Sequence, residues 1–419
     1  MPWDPGPRPA WVAHALAGEG GPIYDLAGRP FDAAELLEEA TLRAGTADFG
    51  DDSHTEPLDV AITSLQEETD LHLVGRWRAR EVVVRYLENR LRVVAALRDD
   101  PAIAEEPITA PILVSGSPRA GTSIMHQLLA QDPSMRAPMA WEYWAPAPPP
   151  RRESLDHDAR IPLADRDVRL SAALAPSFDG MHEQGARVPR EDGSAMGIDL
   201  RSDLLGAHYG VPSYRRYLDA DDMRSAYRWH RLVLQVLQRD FEPAPWLLKW
   251  PGHVDHVPAV DDTYPGARIV VCHRDPLAML SSLTSLTATL RWAHANSVDF
   301  EAVAREQAEV MTTRCDRMLA WRRTATFDPS SVVDVRFGDF MADQLGTVAA
   351  VYDHFGLPWT SEHERRVREH LDAKPRGRHG GHEHRVDELG LDLDDLRERF
   401  RPYQEHFGLA SEALATSGG

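Results

Sequence analysis

Apolar positions along the chain fall into two rhythms, and the change between them organises it. From Phe31 to about Asp99, Leu, Val and Ala recur every three or four residues among charges, as in "FDAAELLEEATLRAG" and "RAREVVVRYLENRLRVVAALRD". That spacing predicts amphipathic helices. Beyond residue 108 come short apolar runs that end at Gly, Pro or a charge: "APILVSGSP", "PWLLKWPGH", "ARIVVCHRDP" and "SVVDVRFGDF". These read as four strands, and the helical stretches between them call for a parallel, doubly wound α/β sheet. In such sheets ligands bind beyond the carboxyl ends of the strands, where each run presents a charged residue. The expected organisation is an N-terminal helical subdomain with an irregular lead-in over 1–108, followed by an α/β domain over 109–419.

Other stretches punctuate this plan. Residues 1–30, rich in Pro and Gly, read as extended or irregular, and "WEYWAPAPPPRRE" reads as an exposed Pro-rich loop. Residues 155–240 read as several helices with loops, including "AYRWHRLVLQVLQRDF" with one apolar stripe, and "DLDDLRERFRPYQEHF" reads as a final amphipathic helix. Pro276 suits the first turn of the helix after the third strand.

Composition narrows the function. The 419 residues carry a net charge of −20, which argues against a nucleic-acid-binding surface, so any anion site must be built locally. Two cysteines, Cys272 and Cys315, exclude a multi-disulfide framework and fit a reduced, cytoplasmic setting. Neither a basic start followed by an apolar segment nor a run of about 20 apolar residues is present, so no membrane association is expected.

Chemistry first shows in "PILVSGSPRAGTS". Gly116 and Gly121 bracket four residues, as in the phosphate loop G-x-x-x-x-G-K-[ST], whose backbone amides and following helix surround a phosphate. Here Thr122 stands where the lysine belongs, and a cation sits inside the loop instead, as Arg119. Such a cradle suits a tetrahedral anion and is a poor platform for a magnesium-bound triphosphate.

Other motifs follow in order. In "VCHRDPLAMLSSL", Arg274 leaves a strand, and Ser282 follows eight residues later, where a hydroxyl two turns along a helix reaches the same phosphate as the arginine fork. Ser281 is the alternative if the register shifts by one. Lys249 ends the strand in "LLKWPGH", and "KPRGRHG" offers Arg376 and Arg378 on a glycine-rich loop. His379, His382 and His384 are too irregularly spaced to predict a metal site.

Together these motifs resemble the sulfotransferases that use 3′-phosphoadenosine 5′-phosphosulfate, in particular a bacterial branch with an arginine-containing 5′-phosphosulfate loop, related to the protein-tyrosine sulfotransferases. The resemblance runs from about residue 110 to residue 405 and implies a P-loop-type fold. It implies a 5′-phosphosulfate loop at Ser117, Pro118, Arg119, Ala120, Gly121, Thr122 and Ser123. It further implies a 3′-phosphate site at Arg274 and Ser282 with Arg376 and Arg378 closing over it, a lysine on the bridging oxygen at Lys249, and no metal.

The implied reaction is sulfonyl transfer to a hydroxyl by in-line displacement, with Arg119 and Lys249 facing the charge that accumulates on the leaving oxygen. A general base must take the acceptor proton. Glu142 in "WEYW" holds the place of the catalytic glutamate in the tyrosine-sulfating branch. His253 follows Lys249 by four residues, whereas the small-molecule branch has its histidine two residues on, and His182 in "MHEQGA" is a third candidate. The expected acceptor is a small hydroxyl compound, and Trp141, Tyr143 and Trp144 suit an apolar or aromatic one. The N-terminal helices either cap the acceptor pocket or form a homo-oligomer interface. Competing readings are a P-loop kinase or nucleotide hydrolase, for which Asp334 lacks the context of a metal-binding aspartate, and a non-catalytic nucleotide-binding scaffold.

Overall fold

The structure, a computed structural model, describes residues 3–19, 25, 28–181, 183–324, 326–374 and 389–412. Its centre is a four-stranded parallel sheet of β1 (Ile112–Gly116), β2 (Leu247–Lys249), β3 (Arg268–His273) and β4 (Val332–Arg336), in the order β2-β1-β3-β4. All four runs read as strands in the sequence are strands. Register sets Val114 beside Lys249, Gly116 beside Cys272 and His273 beside Arg336, so the carboxyl ends lie along one edge. The chain leaves β1 toward β2 and leaves β3 toward β4, which makes the edge between β1 and β3 the switch point where α/β sheets bind ligands.

Two hydrophobic cores cover the sheet. Leu113 and Leu248 join a core built with the N-terminal helices Ala33–Ala44, Thr55–Glu67 and Leu73–Asp99 and with the helix Arg224–Gln238. Ile112, Val114 and Leu247 face the opposite core, built from the helices Pro276–Trp292, Phe300–Arg322 and Leu393–Phe407. In β1 and β2 successive residues thus feed different cores, as the two-residue period of a strand requires. The 27-residue helix Leu73–Asp99 starts where His72 accepts from the Gly75 amide at 3.0 Å. Pro276 occupies the first turn of its helix, and Asp275 caps that helix through the Leu277 amide at 3.0 Å. Among the described residues no helix is long and apolar enough to cross a membrane.

Two local expectations need correction. Part of the lead-in is helical, Ala10–His14 running on into Ala15–Glu19 where Gly18 breaks the helix at φ +106°, because Val12 and Ala15 bury against Val74, Leu290 and Trp292. Within "WEYWAPAPPPRRE", Ala140–Trp144 forms a short buried helix. Glu142 there accepts from the Met139 amide at 2.9 Å, and this cap, with the burial of Trp141 and Tyr143, outweighs the prolines that follow.

Candidate functional site

The loop between β1 and the helix Thr122–Leu129 is held in a conformation with little freedom. Gly116 has φ +120°, and a Cβ there would lie 2.2 Å from the Cys272 carbonyl oxygen on β3, so only glycine fits. Arg119 takes φ +71° and Gly121 takes φ +89°. Left-handed backbone at Arg119 costs about 1–2 kcal/mol for a residue with a Cβ. Three contacts hold it: its Nε donates to Ser282 Oγ at 2.9 Å, its guanidinium donates to the Met181 carbonyl at 3.2 Å, and Arg274 donates to its own carbonyl at 3.2 Å. Alternation of right- and left-handed residues makes anion-binding concavities. Within the loop the Ser117 hydroxyl is buried with no hydrogen-bond partner among the described residues, a polar atom left for a ligand.

The motifs after β1 and β3 meet through these contacts. Of Ser281 and Ser282, Ser282 is the one that touches Arg119. Arg274 lies over the Phe337 ring at 4.2 Å, and its fork grips Glu412 at 2.8 and 2.7 Å. A carboxylate therefore sits on the arginine that the resemblance gives to the 3′-phosphate. Burial, and then Arg274, push the Arg119 guanidinium below its ordinary range. A bound anion would relieve that crowding.

Lys249 brings β2 into the same place. Its Nζ donates to Ser123 Oγ at 3.1 Å and forms an ion pair with Glu191. The turn after it is pinned by Ser115, whose hydroxyl lies 3.0 Å from the Trp250 carbonyl and accepts from the Val254 amide at 3.1 Å. Under the lysine, the Asp192 amide donates to the Lys249 carbonyl at 2.9 Å. Asp192 anchors a fully buried network: it accepts from Tyr143 at 2.6 Å, and its other oxygen lies 3.0 Å from His253 Nε2. Burial opposes its charge, yet His230 and His253 hold its carboxyl well below the usual carboxylate range.

Of the three base candidates, two lie among the described residues, in different surroundings. One Glu142 oxygen faces Arg136 at 2.5 Å and the other takes the Met139 amide, so both are committed to a buried ion pair and a helix cap. His253 is buried with both ring nitrogens engaged, the second 2.7 Å from the Tyr227 hydroxyl. His182, Arg376, Arg378, His379, His382 and His384 lie outside the described residues. Glu191, which the sequence reading passed over, is the carboxylate that touches Lys249. Nothing in the local pattern marks it, since "RVPRED" is an aperiodic polar stretch between helices.

Beside Glu191 opens a cavity of about 120 Å³ whose lining includes Arg190, its neighbour in the chain, and Ser194, two residues beyond Asp192. One wall is a stripe of the helix Leu73–Asp99 that includes Val82, Tyr86 and Asn89, and Tyr143 and Trp144 face it. The third candidate aromatic, Trp141, packs elsewhere, under the Arg160 guanidinium at 4.9 Å. Among the described residues no group of three His, Cys, Asp or Glu is arranged to hold a metal ion.

Parallel sheet, glycine-turned loop and strand-end cations define a nucleotide-binding α/β protein without the lysine of the triphosphatases. The sequence profile of the sulfotransferase family matches residues 111–361, more than half of the chain, and the protein belongs to that family. Among curated proteins it is 25% identical over 257 residues to the omega-hydroxy-beta-dihydromenaquinone-9 sulfotransferases Stf3 of Mycobacterium bovis and Mycobacterium tuberculosis. That alignment covers 59% of this chain and 63% of those relatives. Solved structures extend the likeness: sulfotransferase STF9 from Mycobacterium avium superposes with a TM-score of 0.81 at 28% identity, covering 92% of this chain and 98% of that one. Sulfotransferase STF1 from Mycobacterium tuberculosis H37Rv gives 0.77 at 29% identity, over 88% and 98%.

Proposed function

We propose that the chain transfers a sulfonyl group from 3′-phosphoadenosine 5′-phosphosulfate to a hydroxyl of a small-molecule acceptor. The observation that carries this reading is the meeting of Arg119, Ser282, Arg274 and Lys249 around one loop whose buried Ser117 hydroxyl has no partner among the described residues. The curated relatives are named for a hydroxyl-bearing acceptor, the class of compound proposed here.

The donor supplies the sulfonyl group and a nucleotide leaving group. Residues Ser117–Ser123 would hold its 5′ end, and Arg274 and Ser282 its 3′-phosphate once Glu412 moves off. Arg119 and Lys249 oppose the charge that grows on the leaving oxygen, in a buried setting where such charges count for more than in water. Ser123 and Glu191 fix the lysine head from two sides. Glu191, paired with Lys249 and next in the chain to Arg190 of the cavity wall, is the base we assign, in place of Glu142 and His253. It takes the acceptor proton as the oxygen attacks sulfur. The cavity, with the long N-terminal helix as one wall, would hold the acceptor.

The kinase or hydrolase alternative finds less support. Asp334, the acidic residue on β4, pairs with His273 at 2.8 Å and Arg322 at 2.5 Å. Titration calorimetry with 3′-phosphoadenosine 5′-phosphate in the absence of magnesium, against ATP with magnesium, tests the choice. Tighter binding of the 3′-phosphorylated nucleotide is expected; preference for ATP with magnesium overturns the reading. Turnover of ³⁵S-labelled donor on a panel of alcohols and phenols separates an enzyme from a scaffold.

A further inference from the structure

The cavity beside Glu191 carries a charge that the chain as a whole does not. Its wall holds three arginines, Arg78, Arg85 and Arg190, against one carboxylate, Asp167. His208 and His294 on the same wall are kept neutral by burial, His208 being pushed down to about 3. The wall therefore bears two more positive than negative charges, within a chain of net charge −20.

Asp167 cannot answer all three. It accepts from Arg78 in a bidentate pair at 2.7 and 3.0 Å and stands 4.0 Å from Arg85. Arg85 lies across the Trp144 ring at 4.2 Å. Burial, with Arg78 adding to it, lowers its guanidinium below the ordinary range. Arg190 has no carboxylate partner among the described residues; its Nε donates to Ser194 Oγ at 3.3 Å, a long bond. Positive charge taken out of water without a partner is costly, so a wall of this kind suits a ligand that supplies the missing counter-charge.

We propose that the acceptor carries an anionic group of the carboxylate class in addition to its hydroxyl, and that Arg190 and Arg85 bind it. The aromatic faces of Tyr86, Tyr143 and Trp144 would pack on the body between the two groups. A guanidinium fork matches a carboxylate in plane and charge, which a neutral acceptor cannot do. This inference rests on reading the cavity as the acceptor site of the sulfotransferase reaction proposed above. It narrows the acceptor from a hydroxyl compound to a hydroxy acid.

The test compares acids with their uncharged amides. 3-(4-Hydroxyphenyl)propionate and 12-hydroxydodecanoate, each beside its amide, are titrated calorimetrically into the full chain, with and without 3′-phosphoadenosine 5′-phosphate. At least one acid should bind about tenfold tighter than its amide, as one added charge-assisted hydrogen-bonded pair gives. Arg190→Gln should remove that preference, and Arg190→Lys should retain part of it. Arg85→Gln should weaken the acid severalfold and leave the amide unchanged. Acids that bind no tighter than amides on both scaffolds, or a preference that survives both glutamine variants, overturn the proposal. Binding of the nucleotide is measured separately in the same titrations. Its absence would strike the sulfotransferase reading, whereas normal nucleotide binding with indifferent acids would strike this inference alone.

Discussion

Two glutamates, Glu142 and Glu191, sit in aperiodic stretches of the same chain and come to different ends. Glu142 lies in a five-residue helix, with Arg136 on one oxygen and a backbone amide on the other. Arg136 in turn stacks on Phe241 at 4.0 Å and donates to the Leu237 carbonyl at 2.7 Å, so this carboxylate closes a packed and satisfied corner. Glu191 lies beside the buried Asp192 network and reaches the lysine at the end of β2, next to a cavity. The comparison teaches that a carboxylate's part is set by which groups it meets. One locked between an arginine and a backbone amide stabilises a corner, and one paired with the lysine at the end of β2 is the base proposed above.

The comparison breaks most readily at the reacting end. Glu191→Gln should lower kcat by roughly 10²- to 10⁴-fold, as loss of a general base does, with nucleotide affinity nearly kept. Single-turnover transfer from labelled donor measures it, and an unchanged rate would return the base to another residue. Lys249→Ala should cost about 10²- to 10³-fold, the scale of losing one donor to a developing oxyanion. Acidification probes stability throughout the interior. Burial holds His126 at about 4, with Lys249 adding, and holds His72 at about 4 and His208 at about 3. Because these folded values lie below the unfolded one, the unfolded chain binds protons first as pH falls. Each such histidine should therefore withdraw up to about 1.4 kcal/mol of stability per pH unit below about 6.5, flattening near its folded value. Melting curves from pH 7 to pH 4 should show a steep loss, and a flat profile would contradict these environments.

Smaller effects sharpen the contrast. Glu142→Gln leaves the half-buried Arg136 without its counter-charge and should cost about 1–3 kcal/mol of stability, with the folded enzyme keeping its turnover. Denaturant unfolding and rate measurements on one sample check both halves. Glu412→Gln weakens the carboxylate that competes for the Arg274 fork. It should tighten 3′-phosphoadenosine 5′-phosphate binding severalfold, the scale of one partly exposed charge pair. Calorimetry reads it, and weaker binding would assign the tail a supporting role.

Much of this was legible in the residues alone. Four strands were marked by short apolar runs, and Gly116 and Gly121 marked the loop, because strand burial and left-handed backbone are demands a residue meets with its own side chain. The helix Ala140–Trp144 was missed for the opposite reason. Its stability comes from a cap and from burial against distant elements, while its local signal is a run of prolines. Trp141 and Trp144 looked equivalent in sequence, yet one packs under Arg160 and the other faces the cavity.

By itself the amino-acid order determined a parallel α/β sheet with cations leaving its strands, since hydrophobic period and turn chemistry act over a few residues. Only the tertiary structure decided which carboxylate stands before the lysine and which arginines share a cavity. Lys249 and Glu191 are 58 residues apart, and Arg78 and Asp167 are 89 apart. Partners at such separations meet through the packing of whole elements, and no local pattern encodes them.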